Sequence, residues 1–166
     1  MFHVDSEAGH LKQAILHRPG LELKRLSPTN HDEFLFDDVL WVKRAKEEHD
    51  AFAETLREAG VKVHLLDQLL RETVAIPEAR KHILEGSFDE RVYGPLAVDA
   101  LYSTFADFDD EALVEHLIGG ITKREMLQHV AEPSSVVFHA LEMDDLLLPP
   151  LPNHLFTRDT SAWIYD

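Results

Sequence analysis

Between Val42 and Ala59 the apolar residues Val42, Ala45, Phe52, Ala53, Leu56 and Ala59 recur at three- and four-residue steps. Lys43, Arg44, Lys46, Glu47, Glu54 and Arg57 lie mostly between them. This period predicts an amphipathic helix with one face turned to a core. Gly60 supplies a left-handed stop. The period then changes to two in Val61-Lys62-Val63-His64-Leu65, as in a half-buried strand. Upstream, Leu11-Lys12-Gln13-Ala14-Ile15-Leu16-His17 is apolar enough for a strand and halts at Arg18-Pro19-Gly20. Strand, helix and strand make an α/β unit with the helix packed on the sheet.

From residue 69 to 143 the pattern becomes helical throughout. Pro77 opens Glu78-Ala79-Arg80-Lys81-His82-Ile83-Leu84 from a first helical position, with Gly86 just past its end. Ser87-Phe88-Asp89-Glu90 and Thr122-Lys123-Arg124-Glu125 both fit a capping box, in which hydroxyl and carboxylate satisfy reciprocal backbone donors. Glu111-Ala112-Leu113-Val114-Glu115-His116-Leu117-Ile118 ends at Gly119-Gly120. Short capped helices in succession, with no strand pattern between them, predict a helical bundle inserted into the α/β frame. The expected organisation is an α/β module over 1–68, the bundle over 69–143, and a resumed α/β pattern over 144–166.

The last zone begins with Leu146-Leu147-Leu148 and Pro149-Pro150-Leu151-Pro152 and finishes on Ser161-Ala162-Trp163-Ile164-Tyr165-Asp166, which has the composition of a strand. An α/β chain ending there leaves an unpaired edge, so a fragment of a larger protein is expected.

Composition narrows the function classes. The chain has 166 residues, 16 basic and 31 acidic, for a net charge of −15. A polyanion binder needs a basic stripe, and none is present, which argues against nucleic acid and anionic membrane surfaces. No apolar run reaches the 18–20 residues of a membrane span. Met1-Phe2-His3-Val4-Asp5 shows no signal core, so a cytoplasmic protein is expected. The chain contains no cysteine, which removes disulfides, thiolate metal sites and any thiol nucleophile.

Among the acidic residues, Asp107-Phe108-Asp109-Asp110-Glu111 reads as a helix cap complementing the helix dipole. Asp37-Asp38 follows Phe36 between apolar flanks, so partial enclosure and a functional role stand beside a surface role. The eleven histidines are evenly spread and lack ligand spacing, so neither a metal nor another cofactor is expected. Phe156-Thr157-Arg158-Asp159 stands out, because an aspartate accepts two parallel hydrogen bonds from a planar guanidinium and an adjacent ring packs on its flat face. The simpler alternative is an Arg158–Asp159 surface pair.

Asn153-His154-Leu155-Phe156-Thr157-Arg158-Asp159-Thr160, after Pro149-Pro150-Leu151-Pro152, resembles the guanidinium-binding segment of bacterial arginine deiminases. Val4-Asp5-Ser6-Glu7-Ala8-Gly9-His10-Leu11, His17-Arg18-Pro19-Gly20, Phe34-Leu35-Phe36-Asp37-Asp38-Val39 and Glu48-His49-Asp50-Ala51-Phe52 agree with it in order. The resemblance implies a pseudo-fivefold α/β propeller of ββαβ modules, of which this chain would hold the first, the inserted bundle and the opening of the second. It implies hydrolysis of L-arginine to citrulline and ammonia through a cysteine-bound thiouronium intermediate, in a homo-oligomer. By position Asp159 would be a guanidinium-binding carboxylate, Phe156 would line the pocket, Asn153 would contact the amino-acid end, and Leu35 would belong to a closing loop. The family's nucleophilic cysteine and its histidine fall beyond Asp166, so this chain alone is expected to be inactive. A non-catalytic binding or oligomer-contact module is the alternative expectation.

Overall fold

A computed structural model of the protein describes residues 3–165. Met1, Phe2 and Asp166, which the sequence reading assigned to the N-terminus and to a final strand, lie outside the described residues.

The first part has the predicted strand, helix and strand. Of the apolar stripe over 42–59 only Ala53 is buried, Val42, Ala45 and Leu56 are half-buried, and Phe52 and Ala59 are exposed. β1 (Gln13–Leu16) and β2 (Lys62–Leu65) pair in parallel, from Gln13 with Lys62 to Leu16 with Leu65. A parallel pair needs a crossover, which here contains α1 (Leu21–Lys24), a 3-10 turn (His31–Phe34) and α2 (Val42–Glu58). Gly60 takes φ +82°, the left-handed stop its position predicts. The Val61 N–H then reaches back to the Leu56 carbonyl at 3.0 Å, which returns the chain to the sheet. Arg18, just after β1, donates two 2.7 Å hydrogen bonds to the Asp50 carboxylate of α2 and fastens helix to strand.

The second part contains α3 (Leu66–Val74), α4 (Pro77–Ser87), α5 (Glu90–Tyr93), α6 (Pro95–Asp107) and α7 (Asp110–Gly119). It continues through β3 (Ile121–Thr122), α8 (Lys123–Met126), α9 (Val136–Ala140) and β4 (Leu146–Leu148). The main apolar core lies here, around Leu84, Leu101, Phe105, Leu113, Ile121, Met126, Phe138 and Leu147. Each such side chain contributes roughly 1.5–3 kcal/mol by burial. Phe105 meets Phe88 edge-on at 5.0 Å, the geometry that ring quadrupoles favour.

Two glycines allow close approaches, one between the parts and one within the second. A Cβ on Gly119 would come within 2.7 Å of the Leu21 side chain, so its bareness admits α1 against the end of α7. Gly120 has φ +73°, and a Cβ there would stand 2.4 Å from the Leu148 carbonyl oxygen.

The structure corrects four expectations. The bundle zone does contain a strand: β3 pairs antiparallel with β4, too short to show an alternating pattern. Ser87 forms no capping box, because its hydroxyl donates to the Ile83 carbonyl within α4, and Asp89 caps α5 through the Arg91 N–H. The described part of Ser161–Asp166 is not a strand but makes a single antiparallel bridge, Val4 with Tyr165. Tyr165 sits at φ +58°, which breaks the extended run. Asp37 and Asp38 are exposed, since their apolar flanks Leu35, Val39 and Leu40 face outward with them. The capping box at Thr122 is present, with Glu125 as its reciprocal partner.

Candidate functional site

The segment after β4 is anchored before it reaches its polar residues. The Leu151 N–H donates to the Ile118 carbonyl at 2.8 Å, and Pro150 and Pro152 are buried. A 3-10 turn (Pro152–Leu155) follows, then the single turn of α10 (Thr157–Thr160). The Thr157 hydroxyl donates to the Ile15 carbonyl on β1 at 3.0 Å, so the segment crosses to the α/β part.

There it meets the loop between α1 and α2. Asn153 donates from Nδ2 to the Phe34 carbonyl at 3.0 Å, and the Phe36 and Phe156 rings lie 6.3 Å apart at 33°. Between Phe34 and Phe36 stands Leu35, at φ +64° and 85% exposed. A left-handed leucine costs about 1 kcal/mol or more and persists only where its surroundings hold it. Three of the four candidate residues, Leu35, Asn153 and Phe156, are thus brought together through the two neighbours of Leu35, the Phe34 carbonyl and the Phe36 ring. Asp159 stands one helical turn beyond Phe156; its N–H donates to the Phe156 carbonyl at 3.1 Å and its side chain is exposed.

Arg158 does not pair with Asp159. It donates instead to the carboxylate of Glu7, so the simpler surface-pair alternative gives way to a contact with the N-terminal stretch. Among the described residues the Asp159 carboxylate has no ion pair.

The chain belongs to the arginine deiminase family. The model of that family, described as arginine deiminase, matches residues 32–166, which include the Leu35 turn and the whole 149–160 segment. Arginine is the substrate of such deiminases.

Next to the deiminase segment lies a cleft of about 400 Å³ lined by Leu16, Leu40, Phe52 and Leu155 together with His17 and His49. His17 and Glu22 are both buried, and His17 Nε2 donates to Glu22 Oε1 at 3.1 Å. The Gly20 N–H donates to the same oxygen at 2.5 Å. Burial pushes the Glu22 carboxyl up, yet the hydrogen bonds from His17 and Gly20 outweigh it and hold the group below its ordinary value. Burial keeps His49 below its ordinary value, against the pull of Asp50, and does the same to His154. Among the described residues no three His, Asp or Glu side chains are grouped so as to hold a metal ion, and no helix is long and apolar enough to cross a membrane.

Sequence reasoning did not find His31 or Arg25. His31 Nδ1 lies 2.7 Å from the Phe36 carbonyl, and Arg25 donates to Gly119, Gly120 and Glu125. Neither residue sits in a motif, and only the folded chain brings their partners near.

Proposed function

We propose that this chain forms part of the arginine pocket of an arginine deiminase, which converts L-arginine and water to citrulline and ammonia. The Asp159 carboxylate would bind the guanidinium, Phe156 would pack on its face, Asn153 would serve the amino-acid end, and Leu35 would close over the substrate. The observation that carries this reading is the junction of the Leu35 turn with the Asn153–Phe156 segment inside the family match. In the reaction a thiolate attacks the guanidinium carbon, ammonia departs with a proton, and water cleaves the resulting carbon–sulfur bond. The chain holds no cysteine, so the nucleophile would come from polypeptide outside these residues, and the family resemblance implies the same for the acid–base histidine.

The β1–α2–β2 unit would be the first module of a propeller, residues 69–143 its inserted bundle, and residues 144–166 the opening of the next module. Ile15, Trp41 and Phe52 are 48%, 71% and 53% exposed, apolar surface of the kind a neighbouring module covers. The same surface supports a second reading, a non-catalytic module that docks on a deiminase protomer. A cytoplasmic homo-oligomer fits both readings.

Incubation of the complete polypeptide that contains these residues with L-arginine should yield citrulline and ammonia in equal amounts. Protein that binds a deiminase protomer but forms no citrulline would favour the second reading.

A further inference from the structure

Leu35 is the most exposed large apolar residue at the candidate site, and its own side chain does nothing to hold its left-handed backbone. What holds it is arranged around the following residue. The Phe36 N–H donates to the His31 carbonyl at 3.0 Å, and His31 Nδ1 stands 2.7 Å from the Phe36 carbonyl oxygen. A carbonyl only accepts, so Nδ1 carries the proton. One residue thereby takes both backbone groups of Phe36 and closes a ring around Leu35. The Leu35 N–H completes the turn on the Asp32 carbonyl at 3.1 Å, and Asn153 takes the Phe34 carbonyl from the other side.

The His31 side chain is 17% exposed, which shields this hydrogen bond from competing water. Its base is fixed in turn. The Ser27 N–H donates to Asn30 Oδ1 at 2.7 Å, Asn30 Nδ2 donates to the Arg25 carbonyl at 3.0 Å, and Arg25 is tied to the end of α7. A rigid path therefore runs from the helical core to Leu35 and ends on the imidazole.

We infer that His31 is a positioning residue for the substrate pocket: its Nδ1–H clamp on Phe36 sets the direction of Leu35 and, through it, the affinity for arginine. The inference rests on the deiminase reading for the identity of the substrate, but the clamp itself does not. His31 touches no reacting atom, so its loss should be felt in substrate binding and not in chemistry.

The test uses the complete polypeptide containing these residues, comparing wild type with His31→Leu and His31→Asn. An asparagine amide can place an N–H near the position of Nδ1, whereas leucine cannot. His31→Leu should raise the KM for arginine at least tenfold with kcat within threefold. It should also speed amide hydrogen exchange across residues 34–36 about tenfold, and His31→Asn should recover most of both. An unchanged exchange rate at 34–36, or a KM within twofold of wild type, overturns the inference. Wild-type polypeptide that makes no citrulline while His31→Leu still loses exchange protection overturns the deiminase reading and supports the clamp. Nitrogen NMR of the wild type needs no variant: a His31 ring protonated on Nε2 alone overturns the inference.

Discussion

Arg25 and Glu125, a hundred residues apart in the chain, form an ion pair of 2.7 Å across the seam between the α/β part and the helical core. The guanidinium also reaches the Gly119 carbonyl at 2.6 Å and the Gly120 carbonyl at 3.1 Å, at the buried end of α7. Glu125 meanwhile accepts from the Thr122 N–H in the capping box. One planar fork thus neutralises a helix terminus and fixes the orientation of the loop that carries Leu35.

Removing that fork takes the guanidinium from the Gly119 carbonyl and leaves the Gly120 carbonyl with His116 Nδ1 alone, at 3.1 Å. Arg25→Ala is expected to destabilise the protein by about 2 kcal/mol, read from chemical denaturation. Arg25→Lys should recover less than half of the loss, because an ammonium cannot serve three acceptors spread around a plane. Full recovery with lysine would reduce the role of Arg25 to its charge.

Gly60 and Gly120 separate conformational strain from crowding. Both have positive φ, but a Cβ on Gly60 would meet nothing within 4 Å, while one on Gly120 would run into the 148–150 backbone. Gly60→Ala should cost about 1 kcal/mol, and Gly120→Ala about 3 kcal/mol or more. Equal shifts in melting temperature for the two variants would contradict the crowding at Gly120.

Acidification should weaken the fold in two steps. His49 and His154 lie below their ordinary value of 6.5 in the folded protein, so in that window the unfolded chain binds more protons and stability falls as pH drops below about 6.5. Glu22 lies below its ordinary 4.5, so its contribution is present above that value and lost as pH falls through the folded one. Urea midpoints at pH 8, 6 and 5 should decline in that order. His49→Leu should flatten the first step, since both ring nitrogens are buried without hydrogen-bond partners among the described residues.

Asp159 carries the sharpest catalytic expectation. In the complete deiminase, Asp159→Ala should lower kcat/KM at least 100-fold, about 2.7 kcal/mol of transition-state stabilisation. A variant keeping more than a third of wild-type efficiency would remove Asp159 from the pocket.

The 166-residue chain alone, titrated with L-arginine to millimolar concentration, should release no binding heat. One carboxylate and one half-exposed ring cannot enclose a polar ligand. Saturable heat would show a pocket already complete within this chain.

Local order was readable from the residues wherever one period or one cap governs it. The α2 stripe, the Gly60 stop, the Thr122 capping box and the proline at the start of α4 depend on neighbours within about four positions, so their chemistry is written along the chain. The Phe156-Thr157-Arg158-Asp159 segment was legible as part of a family motif, and the family match covers it. The Ser87 misreading marks the limit of this legibility: a hydroxyl between two helices has two acceptable partners, and packing chose the carbonyl behind it.

What the chain could not show in one dimension is which carbonyl each polar side chain finds. Asn153 reaches Phe34 across 119 residues, Arg25 reaches the end of α7, and Arg158 takes Glu7 in place of its neighbour Asp159. Hydrogen bonds are short and directional, so they form only after burial of the core has brought distant backbone into register. The periodicity of the residues settled the main helical and strand elements. The closure of the helical core against the α/β part settled where Leu35 stands, because a strained backbone can be held only by contacts that the folded chain supplies.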